Sequence, residues 1–169
     1  MDYKNIIIKI RRIVRSINLE SKKIQKDHGV SIPQILCLEY LKSSPNYQAT
    51  QKSIRAHLNL NSSTVTGIIG RLEKKGFLAR LPKTGDRRTT VIALTSLGDQ
   101  LLKNTPDLLQ QRLAVKLKKI PDTDLEKIEE TLEILVNMLE IEELEASPLL
   151  TAEDIIKEEL NSEEENLDL

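Results

Sequence analysis

Four small hydroxyl side chains, Ser62, Ser63, Thr64 and Thr66, stand together just ahead of Gly67. Such a run has two uses: one oxygen can cap the free amides at a helix start, and the others can offer short donors and acceptors to base edges, a threonine methyl touching thymine. Asn61 or Ser62 is the expected cap, leaving the rest, with Gly67, on or near the groove-facing side for DNA contact. Cations follow at Arg71, Lys74 and Lys75, then at Lys83, Arg87 and Arg88. Their chemistry is neutralisation of phosphate, with Arg71 also able to reach a guanine, although a solvated turn for Arg87 and Arg88 and a surface ion pair between Arg71 and Glu73 are the plainer readings. Thr50 and Gln51, together with Lys74 and Lys75, suit phosphate clamping better than sequence reading.

Those side chains need elements to place them. From Thr50 to Leu58 and from Ser62 to Lys75 the pattern is helical, with a break of only Asn59, Leu60 and Asn61 between. Ile54, Leu58, Leu60, Val65, Ile68, Ile69 and Leu72 fall at helical spacing as buried anchors. Two helices joined by so short a break form a helix-turn-helix, whose second helix presents its first turns to a major groove. The β-prone runs Phe77 to Leu81 and Thr90 to Leu94 enclose Pro82, Gly85 and Asp86, which predicts a hairpin with Lys83, Arg87 and Arg88 at its tip. A basic hairpin after a helix-turn-helix is a wing that reaches the adjacent minor groove.

Long amphipathic segments flank this unit. Ile6, Ile10, Ile13, Val14 and Ile17 predict a helix from Lys4 to about His28, stopped at Gly29, where a left-handed backbone costs nothing. Ser31 offers an oxygen to cap a second helix that runs to about Ser43, with Pro33 in its first turn, and Ser44 to Tyr47 is a turn. A further helical pattern runs from Thr95 to about Ile120 and is broken at Thr105-Pro106-Asp107. Pro121-Asp122 opens the next helix, with Leu125, Ile128, Leu132, Leu135, Met138 and Leu139 as its stripe. The terminal stripes either pack within one subunit or pair with a second copy.

The 25 Lys and Arg nearly cancel the 26 Asp and Glu, for a net charge of −1. The cancellation hides a split, because Met1 to Ile120 holds 23 basic and 8 acidic residues, whereas Pro121 to Leu169 holds 2 basic and 18 acidic. A basic half and an acidic half suit nucleic-acid contact in the first. The acidic end is either a solvated extension or a competitor for the basic face. Aromatics are scarce, at 2%, which disfavours single-strand binding on stacked rings. Cys37, the only cysteine, cannot form an internal disulfide, and its mid-helix setting between leucines predicts a buried structural thiol. His28 and His57 lack the spacing of a metal pair. No cofactor, metal site or catalytic motif is read, nor any membrane segment, so the expectation is a non-enzymatic, cytoplasmic protein.

Taken in order, the elements resemble the MarR-type winged-helix transcriptional regulators over roughly Lys4 to Leu144. "STVTGIIGRLEKKGFLARL" followed by "GDRRTTVIALTSLG" carries the likeness best. A fainter likeness, through "RRIVRSINLESKKI", "NTPDLLQQRL" and "ELEASPLL", is to regulators of compatible-solute operons such as ectoine. The resemblance implies a mainly α fold with a small β-hairpin wing. It implies a homodimer on a pseudo-palindromic double-stranded DNA operator, most simply as a repressor, with a small-molecule effector. Asn18, Ser21 and Tyr40 are candidate effector contacts. The segments expected are 1–30 for N-terminal dimerisation, 31–98 for the winged helix-turn-helix, 99–145 for C-terminal dimerisation and 146–169 for the acidic extension. One departure stands out: where relatives place an acid that pairs with a wing arginine, here Arg88, this chain has Gly70. Glu73 or Asp86 would have to replace that acid, or the wing is left free; Gly70 can alternatively allow close backbone approach. The competing class is a helical dimerisation or adaptor module whose acidic tail recruits a protein partner, which leaves the clustered arginines unexplained.

Overall fold

The computed structural model describes residues 3–82 and 90–143. Lys83, Arg87 and Arg88 at the expected wing tip, and the acidic extension from residue 146, lie outside the described residues. The chain forms two compact units, one ending at Pro106 and the other beginning at Asp107.

In the first unit α1 spans Tyr3–His28 and ends at Gly29, whose φ of +68° is the left-handed conformation expected there. Helix α2, Ile32–Ser43, is apolar nearly all round and supplies the centre of the core through Ile32, Ile35, Cys37, Leu38 and Leu41. Its start differs from expectation. The Ser31 hydroxyl is buried without a hydrogen-bond partner, and the cap runs the other way, with Ser31 N donating to Gln34 Oε1 at 3.1 Å. Pro33 explains part of this, since it removes one of the two amides that a capping oxygen reaches.

After a tight turn at Pro45–Tyr47, residues Gln48–Thr50 form strand β1, which the sequence pattern did not reveal. Helix α3 is Gln51–Leu58 and α4 is Ser62–Lys74. Strand β2, Leu78–Arg80, and strand β3, Val91–Leu94, complete an antiparallel sheet in the order β1-β3-β2. Ala49 pairs with Ile92 and Ala79 with Ala93, so β1 turns the expected hairpin into three strands. Helices α2, α3 and α4 pack with β3 around Ile54, Ile68, Ile69, Leu72 and Ile92, all fully buried.

Helix α5, Ser96–Asn104, packs against α2 within this unit, which is why the unit extends to Pro106 although residue 98 was the expected boundary. Its first turn meets the end of the α4–β2 link very closely. Thr95 Oγ1 accepts from Gly98 N at 3.1 Å and donates to the Gly76 carbonyl at 2.6 Å, while Thr95 N donates to the Phe77 carbonyl at 3.2 Å. A Cβ on Gly98 would lie 2.1 Å from that same Phe77 oxygen.

The second unit contains α6, Leu109–Leu117, and α7, Asp122–Leu139. The break at Pro106 falls as expected: Thr105 before it is extended, with ψ of 131°. Among the described residues, much of the apolar stripe of α1 and of α7 is exposed. Ile13 on α1 is 57% exposed, Leu132 and Met138 on α7 are 53% and 75% exposed, and Ile6, Val14, Ile128 and Leu139 are exposed as well.

Cys37 is fully buried, and burial pushes its thiol up to about 12. The thiolate is the reactive form, so the folded chain should resist thiol-alkylating reagents at pH 7.5 and react promptly once unfolded in denaturant. Stoichiometric labelling of native protein within minutes would contradict that placement.

Candidate nucleic-acid interface

Helices α3 and α4 are joined by Asn59, which takes the left-handed conformation at φ 52°, and by Leu60, which plugs into the core. Asn61 is the cap of α4: its Oδ1 accepts from Thr64 N and from Ser63 Oγ, both at 2.8 Å. Thr50 caps α3 through its own oxygen, which accepts from Ser53 N at 3.1 Å. Each helix start therefore consumes one of the polar side chains that composition alone offers for contact.

A helix turns about 100° per residue, so the α4 sequence divides cleanly. Val65, Ile68, Ile69 and Leu72 face the core, and Thr64 goes with them at 6% exposure. Thr64 was expected among the groove-facing hydroxyls; its rotation next to Val65 and Ile68 puts it inside. The outward arc holds Ser62, Ser63, Thr66, Gly67, Gly70, Glu73 and Lys74. Glu73 and Lys74 stand at its far end, and the Arg71 guanidinium lies against it at Gly67; the remaining side chains of the arc are no larger than threonine.

Glu73 is engaged by β2: Arg80 Nε donates to its Oε2 at 2.9 Å. Arg71 folds back along α4, its Nη1 3.6 Å from where a Gly67 Cβ would stand. Lys75 Nζ donates to the Gly29 carbonyl, which ties the end of α4 to the α1–α2 link and gives this lysine a structural role. Around Gly70 there is open space, with nothing within 4 Å of a built Cβ. Gly70→Ala should therefore raise stability by about 1 kcal/mol, read from denaturant unfolding. A loss of stability would show that the helix needs glycine there for its own fold.

Beside the first turn of α4 runs a cleft lined by Thr50, Gln51, Lys52, Arg55, Ser62, Val65 and Thr90. Gln51 crosses it, Nε2 donating to Thr66 Oγ1 at 2.7 Å. Lys52 and Arg55 are exposed at its edge and were not singled out by sequence; on a helix read as the supporting one, their charge looked like ordinary surface. Their signal was position on the same helix as Gln51, Lys52 next to it and Arg55 one turn on.

Of the candidate effector contacts, Asn18 and Ser21 stand one turn apart on α1 and Tyr40 is on α2. Asn18 lies in a shallow groove along α1 with Ile10, Val14 and Arg15, whereas the Tyr40 ring of α2 stacks on His57 of α3, with centroids 4.2 Å apart. No cluster of three His, Cys, Asp or Glu side chains able to hold a metal occurs among the described residues, and no described helix is long and apolar enough to cross a membrane.

A helix-turn-helix closed by a three-stranded antiparallel sheet defines a winged-helix protein. Residues 30–90 match the model of the MarR family. It is 30% identical over 103 residues to YkoM, an HTH-type transcriptional regulator of Bacillus subtilis, covering 61% of this chain and 66% of that one. It is 28% identical over 95 residues to the HTH-type transcriptional repressor MdtR of the same organism, covering 56% and 60%. The chain thus spans about two thirds or less of the length of these relatives. Among solved structures, the Staphylococcus aureus MepR–DNA complex superposes with a TM-score of 0.59 at 19% identity, over 82% of this chain and 98% of that one. Sco3205 of Streptomyces coelicolor, a MarR family transcriptional regulator in complex with DNA, gives 0.57 at 20% identity over 89% and 96%. At these identities the likeness establishes the fold.

Proposed function

We propose that this chain is a sequence-specific transcriptional repressor that binds a pseudo-palindromic operator as a homodimer and releases it on binding a small-molecule effector. The observation that carries the reading is the outward arc of α4: Ser62, Ser63, Thr66 and Gly70 add little bulk and the Arg71 guanidinium lies along it at Gly67, so the first turns of the helix can enter a major groove. Lys52, Arg55 and Lys74 stand beside it for the phosphates, and Arg87 and Arg88 follow in the hairpin sequence for the flanking minor groove. The uncovered stripes of α1 and α7 supply what a second copy would bury, and two-fold symmetry then sets half-sites about 10 bp apart. MdtR bears the name of a repressor, and MepR and Sco3205 have been crystallised on DNA; both facts favour the same action here.

Gel-shift titration of the full chain against genomic fragments, across a salt series, tests this. A discrete complex with two chains per duplex, resistant to nonspecific competitor DNA, is the expected result. A chain that retards every fragment equally, or none, is not such a regulator.

A further inference from the structure

Gln51 and Thr66 are fifteen residues apart yet hydrogen-bonded across the turn between α3 and α4, and their bond has a direction. Thr66 Oγ1 donates its hydrogen to the Ser62 carbonyl at 2.8 Å. A hydroxyl has one hydrogen, so toward Gln51 it can act only as an acceptor. The carboxamide of Gln51 is thereby oriented: Nε2 faces Thr66, at 2.7 Å, and Oε1 faces away. The reverse orientation would set two acceptors against each other.

Two consequences follow for what reaches DNA. The Thr66 hydroxyl has no hydrogen left for a base, so it is a poor reader although it lies on the outward arc. Gln51, by contrast, keeps Oε1 and a second amide hydrogen. Its backbone amide is already bonded to the Thr90 carbonyl at 3.2 Å, so it is not free to hold a phosphate at the start of α3. What remains is an acceptor and a donor side by side on a side chain fixed at two ends.

That pair complements one base edge best. In the major groove adenine shows a donor, N6–H, beside an acceptor, N7, whereas guanine shows two acceptors and cytosine a donor without the neighbouring acceptor. We propose that Gln51 reads the adenine of an A·T pair in each half-site, Oε1 accepting from N6 and Nε2 donating to N7, with Thr66 as the positioning residue that fixes its amide. The assignment rests on the DNA-reading function proposed above and moves Gln51 from a phosphate clamp to a specificity determinant.

The test is selection by the full-length chain from a pool of randomised duplex DNA, followed by sequencing. The wild type should enrich a two-fold motif in which one A·T pair per half-site is required. Gln51→Ala and Thr66→Val should make that pair degenerate while the other positions persist, lowering affinity for the A-bearing duplex by about 5- to 150-fold. Thr66→Ser, which restores the hydroxyl, should restore the preference. Replacing the adenine by 7-deazaadenine should weaken the wild type and leave Gln51→Ala unaffected. A preference that survives Gln51→Ala, or a Gln51→Ala variant weakened equally on all duplexes, overturns base reading by Gln51. A preference that survives Thr66→Val overturns the positioning role. A wild type that enriches no sequence fails at the earlier step and removes DNA reading itself.

Discussion

Alanine in place of Gly98 is expected to destabilise the chain by about 3 kcal/mol or more, because Gly98 is the tightest fit for an added methyl among the described glycines. The obstacle is backbone: the new Cβ would stand 2.1 Å from the Phe77 carbonyl and 2.8 Å from a Leu94 methyl. A side chain in the way can swing aside, but the Phe77 oxygen is held by Thr95 N, and Phe77 N is itself bonded to the Leu72 carbonyl at 3.0 Å. Relief requires α5 to retreat from the sheet, which opens the contact between α5 and α2. Urea unfolding followed by circular dichroism measures the difference. A change under 1 kcal/mol would mean that α5 does not sit against β2 as closely as described. Gly70→Ala is the matched control, because the same methyl there enters open space.

Removing both Lys52 and Arg55 as alanines is expected to reduce DNA affinity by on the order of tenfold or more near 0.1 M salt, equally for all sequences. Both are exposed at the edge of the cleft that Gln51 crosses, and neither has a side-chain partner among the described residues. A cation engaged with phosphate releases a counterion on binding. The plot of log affinity against log salt should therefore become shallower by about 1.8 for the pair. Fluorescence anisotropy on one duplex at four salt concentrations gives the slope. An unchanged slope would place both side chains away from the DNA backbone, whatever the loss in affinity.

Much of this architecture was legible because its determinants are local. Gly29, Asn61 and Pro106 mark ends and starts through their own backbone chemistry, and the α4 anchors from Val65 to Leu72 repeat at helical spacing without a gap. The misreadings share a different cause, which is that they depend on what lies across from a residue. Strand β1 is three residues between a turn and a helix cap, too short to alternate, and exists because β3 offers it an open edge. Thr64 and Thr66 are the same residue type two positions apart, and only the direction of the core separates a buried one from an exposed one. Ser31 looked like a cap until Gln34 turned back to take its amide. Lys75 looked like a phosphate ligand until the fold brought the Gly29 carbonyl beneath it. Lys52 and Arg55 drew no notice because their meaning comes from the cleft that α4 builds beside them. The uncovered stripes of α1 and α7 were legible as stripes, but their exposure in a single chain needed the fold to show it.

The joint at Gly76, Phe77, Thr95 and Gly98 has a mechanical meaning. The end of α4, the first residue leading into β2 and the first turn of α5 are riveted at one point by backbone hydrogen bonds and by an approach too close to admit a methyl group. A part riveted in this way turns as a single block. In the homodimer proposed above, a signal that changed the separation of two such blocks would have to bend the chain elsewhere, moving each block without altering its shape.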